Sequence, residues 1–169
     1  DEILSTGESL DVAVALNWED YFKFGGELPV GNGAVVIYDS KTGVEPDNIP
    51  LKNIEPSQII PGPIEKLAVD NAGTARAKNV VVLGLMAGWF GISHDALLAG
   101  IRKKFAKKSQ EILEGNERAY AAGIDYTKEN PLKNQDFVID KSSAHSQKKM
   151  LTDGNEMAAA AAIFAGCEF

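Results

Sequence analysis

DVAVALNWEDYFKFGGELPVGNGAVVIY, residues 11–38, holds two short runs, Asp11–Leu16 and Ala34–Tyr38, that are apolar on successive positions rather than alternate ones. A strand with that pattern is covered on both faces, as in a parallel sheet, so both runs read as central strands. Between them, Asn17 is placed to cap a short helix opening at Trp18-Glu19-Asp20, Gly25-Gly26 ends it, and Gly31-Asn32-Gly33 turns the chain into the second strand. Strand, helix and strand in this order make a βαβ unit.

Outward from that unit, residues 42–58 are rich in Pro, Asp and Asn and read as a loop with a short extended piece at 50–54, and Ile59-Ile60 makes a short third strand before Pro61-Gly62-Pro63. The pattern then becomes helical. Helices are predicted over Ile64–Ala72 closed by Gly73, Ala75–Phe90 closed by Gly91, from a Ser93 cap to about Lys107, and over Ser109–Ala122 closed by Gly123. The fold class is α/β: an incomplete doubly wound, mostly parallel sheet with a helical C-terminal extension.

Residues 128–149 are polar, with one weak apolar patch at Phe137-Val138-Ile139, and read as a linker whose patch docks on a neighbour. A further helix follows, opened by Asp153 and Glu156 in capping-box spacing, running from Met157 to Ile163 and leaving through Gly166. Its Ala-rich body suits close approach to a sheet, and no sheet follows it. The expectation is that it opens a second domain, and that Asp1 enters partway through the first, because a doubly wound sheet usually begins with a glycine-rich strand-turn-helix.

Composition is that of a globular protein, 44% hydrophobic and 24% charged. A formal net charge of -7 gives no electrostatic reason to expect nucleic acid or an anionic membrane as a partner. The single cysteine, Cys167, excludes an internal disulfide and any iron-sulfur site built by this chain alone, and fits a reducing, cytoplasmic compartment. The longest apolar run, Asn79–Ile92, is shorter than a membrane span and reads as a core element. Gly84 and Gly88 within it are expected to let a helix approach a sheet closely. They do not make a dinucleotide turn: the spacing is GxxxGxxG rather than GxGxxG, and the chain about twenty residues on is basic and helical.

Five stretches in this order, DVAVALN (Asp11–Asn17), GAVVIYDS (Gly33–Ser40), RAKNVVVLGLMAGWFGI (Arg76–Ile92), EGNERAYAAG (Glu114–Gly123) and MLTDGNEMAAAAAIFAG (Met150–Gly166), resemble a known family. It is the thiamine diphosphate dependent 2-oxoacid:ferredoxin oxidoreductases, specifically the alpha subunit of the two-subunit, 2-oxoglutarate-type enzymes. The resemblance covers nearly the whole chain. By it, residues 1–127 are similar to the later part of the gamma domain, 128–149 are a linker, and 150–169 resemble the first helix of the domain holding the pyrimidine end of thiamine diphosphate. The gamma domain preceding the pyrimidine domain is the order of the two-subunit enzymes.

The resemblance implies coenzyme A dependent oxidative decarboxylation of a 2-oxoacid, with electrons passing through an iron-sulfur cluster of the beta subunit to ferredoxin. The whole enzyme would carry thiamine diphosphate, Mg2+ and a 4Fe-4S cluster, with coenzyme A as co-substrate. This chain departs from the family in lacking the opening glycine-rich turn, the Gly-Tyr-Pro turn and the carboxylate that activates the pyrimidine. No cofactor is therefore expected to bind it alone, and alone it is expected to be catalytically silent and marginally stable. The alternative is a non-catalytic gamma-type module that binds coenzyme A or the partner subunit.

Three residues carry the site expectations. Arg102 and Lys103 belong to a basic cluster with Lys104, Lys107 and Lys108 at a helix end, where cations also complement the helix dipole. A solvated face is the plain reading, and a coenzyme A phosphate contact or partner-subunit patch the functional one. Asn17 lies at the carboxyl edge of a central strand, where open α/β sheets bind ligands, though a helix cap is the plainer job for it. Asn79 and Asn116 are explained by capping or interior hydrogen bonds. His94 and His145 have no nucleophile or metal-ligand companion at useful spacing and read as surface residues.

Overall fold

The computed structural model describes residues 9–17, 23, 28–40, 55–133 and 154–166. The chain divides into two compact units, Asp1–Ile139 and Asp140–Phe169. The first holds three strands, β1 (Leu10–Ala15), β2 (Val30–Asp39) and β3 (Gln58–Gly62), in the order β1-β2-β3 with both pairs parallel. Val35, Val36 and Ile37 of the middle strand are fully buried, so β2 is covered on both faces as its unbroken apolar run predicts.

β2 starts earlier than the sequence suggests. Gly31-Asn32-Gly33, expected as a turn, lies inside the strand, and the misfit is absorbed where the register slips between Leu10 opposite Val30 and Val12 opposite Val35. Gly33 takes φ +81 there, a left-handed backbone that glycine adopts without strain, and its N–H reaches the Glu55 carbonyl at 2.9 Å. β3 tolerates Pro61 because that residue turns its main chain away from β2. The Gly62 carbonyl accepts from Ser40 N–H at 2.8 Å, whereas the Pro61 carbonyl accepts from the Tyr126 hydroxyl at 3.2 Å.

Helices follow: α1 (Ile64–Ala72), a 3-10 turn (Ala75–Ala77), α2 (Lys78–Phe90), α3 (His94–Phe105) and α4 (Gln110–Glu129). Gly73 and Gly91 close α1 and α2 in left-handed conformation, and Ser93 and Ser109 cap α3 and α4, each accepting a backbone N–H three residues on at 3.4 Å. The segment expected as one helix over 75–90 breaks at Lys78, because Thr74 Oγ1 accepts from Arg76 N–H and winds the first three residues tighter.

α4 does not end at Gly123. It runs to Glu129, past the expected start of the linker, because Gly123 is needed for packing rather than for an exit. A Cβ on Gly123 would overlap the Val81 carbonyl oxygen and lie 3.1 Å from Gly84 Cα; one on Gly84 would overlap the Tyr120 carbonyl oxygen and lie 3.0 Å from Gly123 Cα. The glycines of α2 thus admit a neighbouring helix, not the sheet. The sheet lies against another side of α2, where Val81, Leu85, Trp89 and Phe90 join Val35, Ile37, Ile64 and Ala68 in the main core. Val80 packs with Ile101 of α3 and Tyr120 of α4, so α2 is apolar on several faces because it is packed on several sides.

The second unit contains α5 (Gly154–Phe164), left through Gly166 at φ +78 as expected. Asp153 of its capping box lies outside the described residues, as do the short helix after Asn17, residues 50–54, the Phe137-Val138-Ile139 patch, His145 and Cys167.

Candidate functional site

The carboxyl ends of the strands gather polar side chains. Asp39 closes β2, Asn17 follows β1 by two residues, and β3 runs through Pro63 into α1. Pro63, the residue before α1, offers no side-chain cap, so the first N–H groups of the helix need another acceptor. Asp39 supplies it from 26 residues away: its Oδ1 accepts from Glu65 N–H at 3.1 Å. A carboxylate in that position is also favoured by the helix dipole.

Lys78, the first residue of α2, reaches into the same edge. Its Nζ donates to the Leu16 carbonyl at 3.1 Å and to Glu65 Oε2 at 3.2 Å, and lies 3.6 Å from Asp39 Oδ2. That last separation is an ion pair, too long for a hydrogen bond, and Asp39 Oδ2 is buried without a hydrogen-bond donor. Lys78 therefore ties the end of β1, the end of β2 and the start of α1 together through one ammonium. The sequence reading passed over both Asp39 and Lys78. The signal was there in an acid closing an apolar strand and a lysine opening an apolar helix.

Beside this cluster is a cavity of about 520 Å³ lined by Asp39, Ser40, Pro63, Glu65, Lys66, Val69 and Asp70. Three carboxylates against one ammonium make it a poor host for phosphate. A second cavity, about 480 Å³, opens along β3 beneath Trp89 and Tyr126. Trp89 Nε1 donates to the Asn130 carbonyl at 2.8 Å, the two rings meet edge to face with centroids 6.2 Å apart, and Gln58 Oε1 accepts from Lys133 N–H at 2.9 Å. Burial pushes the Tyr126 hydroxyl pKa up.

The expected site residues fall on separate elements. Asn17 is at the sheet edge, whereas Arg102 and Lys103 are in the last turn of α3, which packs on α4 and α2. Arg102 is engaged within the fold, its Nε donating to Glu117 Oε1 of α4 at 2.6 Å, and that hydrogen bond and charge raise its pKa further. Lys103 is exposed. His94 is exposed as read, and its ring stacks on Tyr120 with Nδ1 3.1 Å from the Tyr120 hydroxyl. Burial, with the Asp95 charge, raises the Tyr120 pKa. Asn116 donates to the Ile112 carbonyl at 2.7 Å, an interior helix bond of the expected kind.

Among the described residues no group of three or more His, Cys, Asp or Glu is placed to hold a metal ion, and no helix is long and apolar enough to cross a membrane. The described residues, which include no cysteine, do not fit an iron-sulfur cluster.

Comparison with known proteins places the chain. It is 31% identical over 140 residues to 2-oxoglutarate oxidoreductase subunit KorA of Mycobacterium tuberculosis, covering 74% of this chain and 21% of that one. It is 30% identical over 128 residues to ketoisovalerate oxidoreductase subunit VorA of Methanothermobacter thermautotrophicus, covering 71% of this chain and 23% of that one. Among solved structures it is similar to 2-oxoglutarate:ferredoxin oxidoreductase from Magnetococcus marinus, with 28% identity and a TM-score of 0.66 over 83% of this chain and 23% of that one. The keto/oxoacid ferredoxin oxidoreductase gamma subunit from Geobacter sulfurreducens shares the fold, with 21% identity and a TM-score of 0.51 over 70% of this chain and 64% of that one. The chain thus spans between 21% and 23% of the length of the curated relatives it matches. The sequence pattern of the pyruvate ferredoxin/flavodoxin oxidoreductases matches residues 1–126, and the chain belongs to that family.

Proposed function

We propose that this chain is part of the alpha subunit of a 2-oxoacid:ferredoxin oxidoreductase, with residues 1–127 the later part of its gamma domain and 150–169 the first helix of the thiamine pyrimidine domain. The whole enzyme carries out coenzyme A dependent oxidative decarboxylation of a 2-oxoacid, 2-oxoglutarate favoured, and passes electrons to ferredoxin together with a beta subunit. The observation that carries this reading is the family match over residues 1–126 of a chain that corresponds to 21% of KorA. The name of that relative and that of the Magnetococcus enzyme favour 2-oxoglutarate, while VorA is named for ketoisovalerate.

Within such an enzyme this chain's residues bind and position rather than react. Thiamine diphosphate, Mg2+ and the 4Fe-4S cluster belong to other parts of the enzyme, and coenzyme A is the co-substrate for which Asn17, Arg102 and Lys103 are candidate contacts, with the subunit interface as their other role. Reading the encoding DNA beyond both ends of the chain tests the assignment. Continuation into a glycine-rich βα turn upstream, and into a Gly-Tyr-Pro turn and an active-site carboxylate downstream, is the expected result. An initiator codon immediately upstream of the Asp1 codon, with a stop directly after Phe169, would overturn it in favour of a non-catalytic module.

A further inference from the structure

Four lysines at the end of α3 are placed as if for something outside the fold. Lys103 and Lys104 lie in its last turn and Lys107 and Lys108 in the turn leading to α4, and all four are exposed. No carboxylate among the described residues comes within ion-pair distance of any of them. The nearby acids are otherwise engaged: Glu117 binds Arg102, and Glu114 accepts from Gln110 Nε2 at 2.9 Å.

The helix dipole explains only part of the cluster. Arg102, Lys103 and Lys104 sit at the negative end of α3, where cations are favoured. Lys107 and Lys108 immediately precede Ser109, the cap of α4, and so sit at the positive end of a 20-residue helix, where cations are disfavoured. The dipole of α4 therefore does not account for their presence there.

The patch is also firmly presented. Ile101 is buried beneath it, and the Arg102–Glu117 pair staples α3 to α4. It is open to solvent: all four lysines are exposed, and they line none of the cavities along β3, beside Asp39 or between α1 and α4. A small anion needs convergent donors in a concave site. A broad acidic face needs only a row of free ammonium groups. Nucleic acid fits less well, because a net charge of -7 repels an extended polyanion beyond the patch.

We propose that Lys103, Lys104, Lys107 and Lys108 form a docking surface for the acidic face of a partner protein, with Arg102 as a positioning residue. This takes the protein-contact alternative raised above for the basic helix end, and rests on that alternative alone, not on the parent enzyme's reaction. The test therefore reads binding, not turnover.

The probe is a fluorescein-labelled decaglutamate peptide, followed by anisotropy against the full chain at ionic strengths of about 20 and 150 mM. Binding is expected at the lower salt and should weaken at the higher. The Lys103→Gln/Lys104→Gln/Lys107→Gln/Lys108→Gln variant should lose about tenfold in affinity, with Lys107→Gln/Lys108→Gln alone accounting for about threefold. Lys66→Gln/Lys128→Gln, which removes two lysines already paired with Asp70 and Asp125, should stay within about twofold. The proposal is overturned if the peptide fails to bind, if the fourfold variant binds it unchanged, or if tripolyphosphate displaces it at equal molar charge, which would mark a small-anion site. None of these results would bear on the oxidoreductase assignment.

Discussion

Gly84→Ala should destabilise the chain, although alanine is the better helix former. The new methyl would overlap the Tyr120 carbonyl oxygen and sit 3.0 Å from both Gly123 Cα and Ile124 N. All three are backbone atoms of α4, so no side chain can swing aside and the two helices must part. Overpacking of this kind costs about 1–3 kcal/mol. The gain in helix propensity from Gly to Ala returns about 1 kcal/mol. Because the overlap is with backbone atoms that cannot give way, the cost lies at the upper end of that range, and the net is a loss of about 2 kcal/mol, or roughly 6 °C in Tm for a chain of this size. Gly100 is the internal control: it lies within α3 with nothing inside 4 Å of its added Cβ, so Gly100→Ala keeps the propensity gain and should raise Tm by about 2–3 °C. Thermal and urea unfolding of the two variants beside the parent chain measure both signs. If Gly84→Ala stabilises as Gly100→Ala does, α2 and α4 do not meet backbone to backbone, and the account of the helical layer is wrong.

Gly84→Ala and Gly123→Ala act on one seam, so the double variant should lose less than the sum of the singles, a shortfall visible in a double-mutant cycle. Lys78→Met should cost about 3 kcal/mol in urea unfolding by stranding the buried Asp39 carboxylate, and adding Asp39→Asn should recover part of that loss. Trp89→Phe, which deletes the hydrogen bond to the Asn130 carbonyl, should cost about 1–2 kcal/mol by the same assay. Tyr120 and Tyr126 have pKa values raised above the ordinary value of 10.0, so the unfolded chain gives up these protons first. Their stability contribution is complete below pH 10 and lost as pH rises through the folded pKa values, and Tyr120→Phe should flatten that alkaline decline in denaturant midpoint.

The main architecture was legible because burial on both faces writes itself into a strand: the run at 34–38 marks the middle of the parallel sheet, whereas the run at 11–16, expected to be central too, lies at one edge of the described sheet with only Ala13 and Ala15 buried, and glycines mark the ends of α1 and α2. What misled was glycine serving packing rather than punctuation. Gly123 has the same composition signal as Gly73 but sits where another helix's backbone must pass, and only the tertiary contact with Val81 and Gly84 tells the two apart. Gly31-Asn32-Gly33 is the strand version, read as a turn and used as an irregularity inside β2. The Asp39–Lys78 pair was hidden for another reason. Its partners are 39 positions apart in sequence, and no local periodicity encodes a contact that exists only once the sheet edge and two helix starts converge. Arg102 and Lys103 were visible as charge, but not the division of labour by which Arg102 pairs with Glu117 at the surface while its neighbour faces solvent.

The assignment to a 2-oxoacid:ferredoxin oxidoreductase alpha subunit is tested most directly by turnover of the complete subunit, extended in frame beyond both ends of this chain and co-expressed with its beta subunit under anaerobic conditions. Reduction of ferredoxin is followed with 2-oxoglutarate and coenzyme A, each omitted in turn, beside the 169-residue chain alone. The account predicts reduction that requires both substrates, and none from the chain by itself. Failure of the complete, cofactor-loaded complex to reduce ferredoxin with 2-oxoglutarate, pyruvate or a branched-chain 2-oxoacid would contradict it.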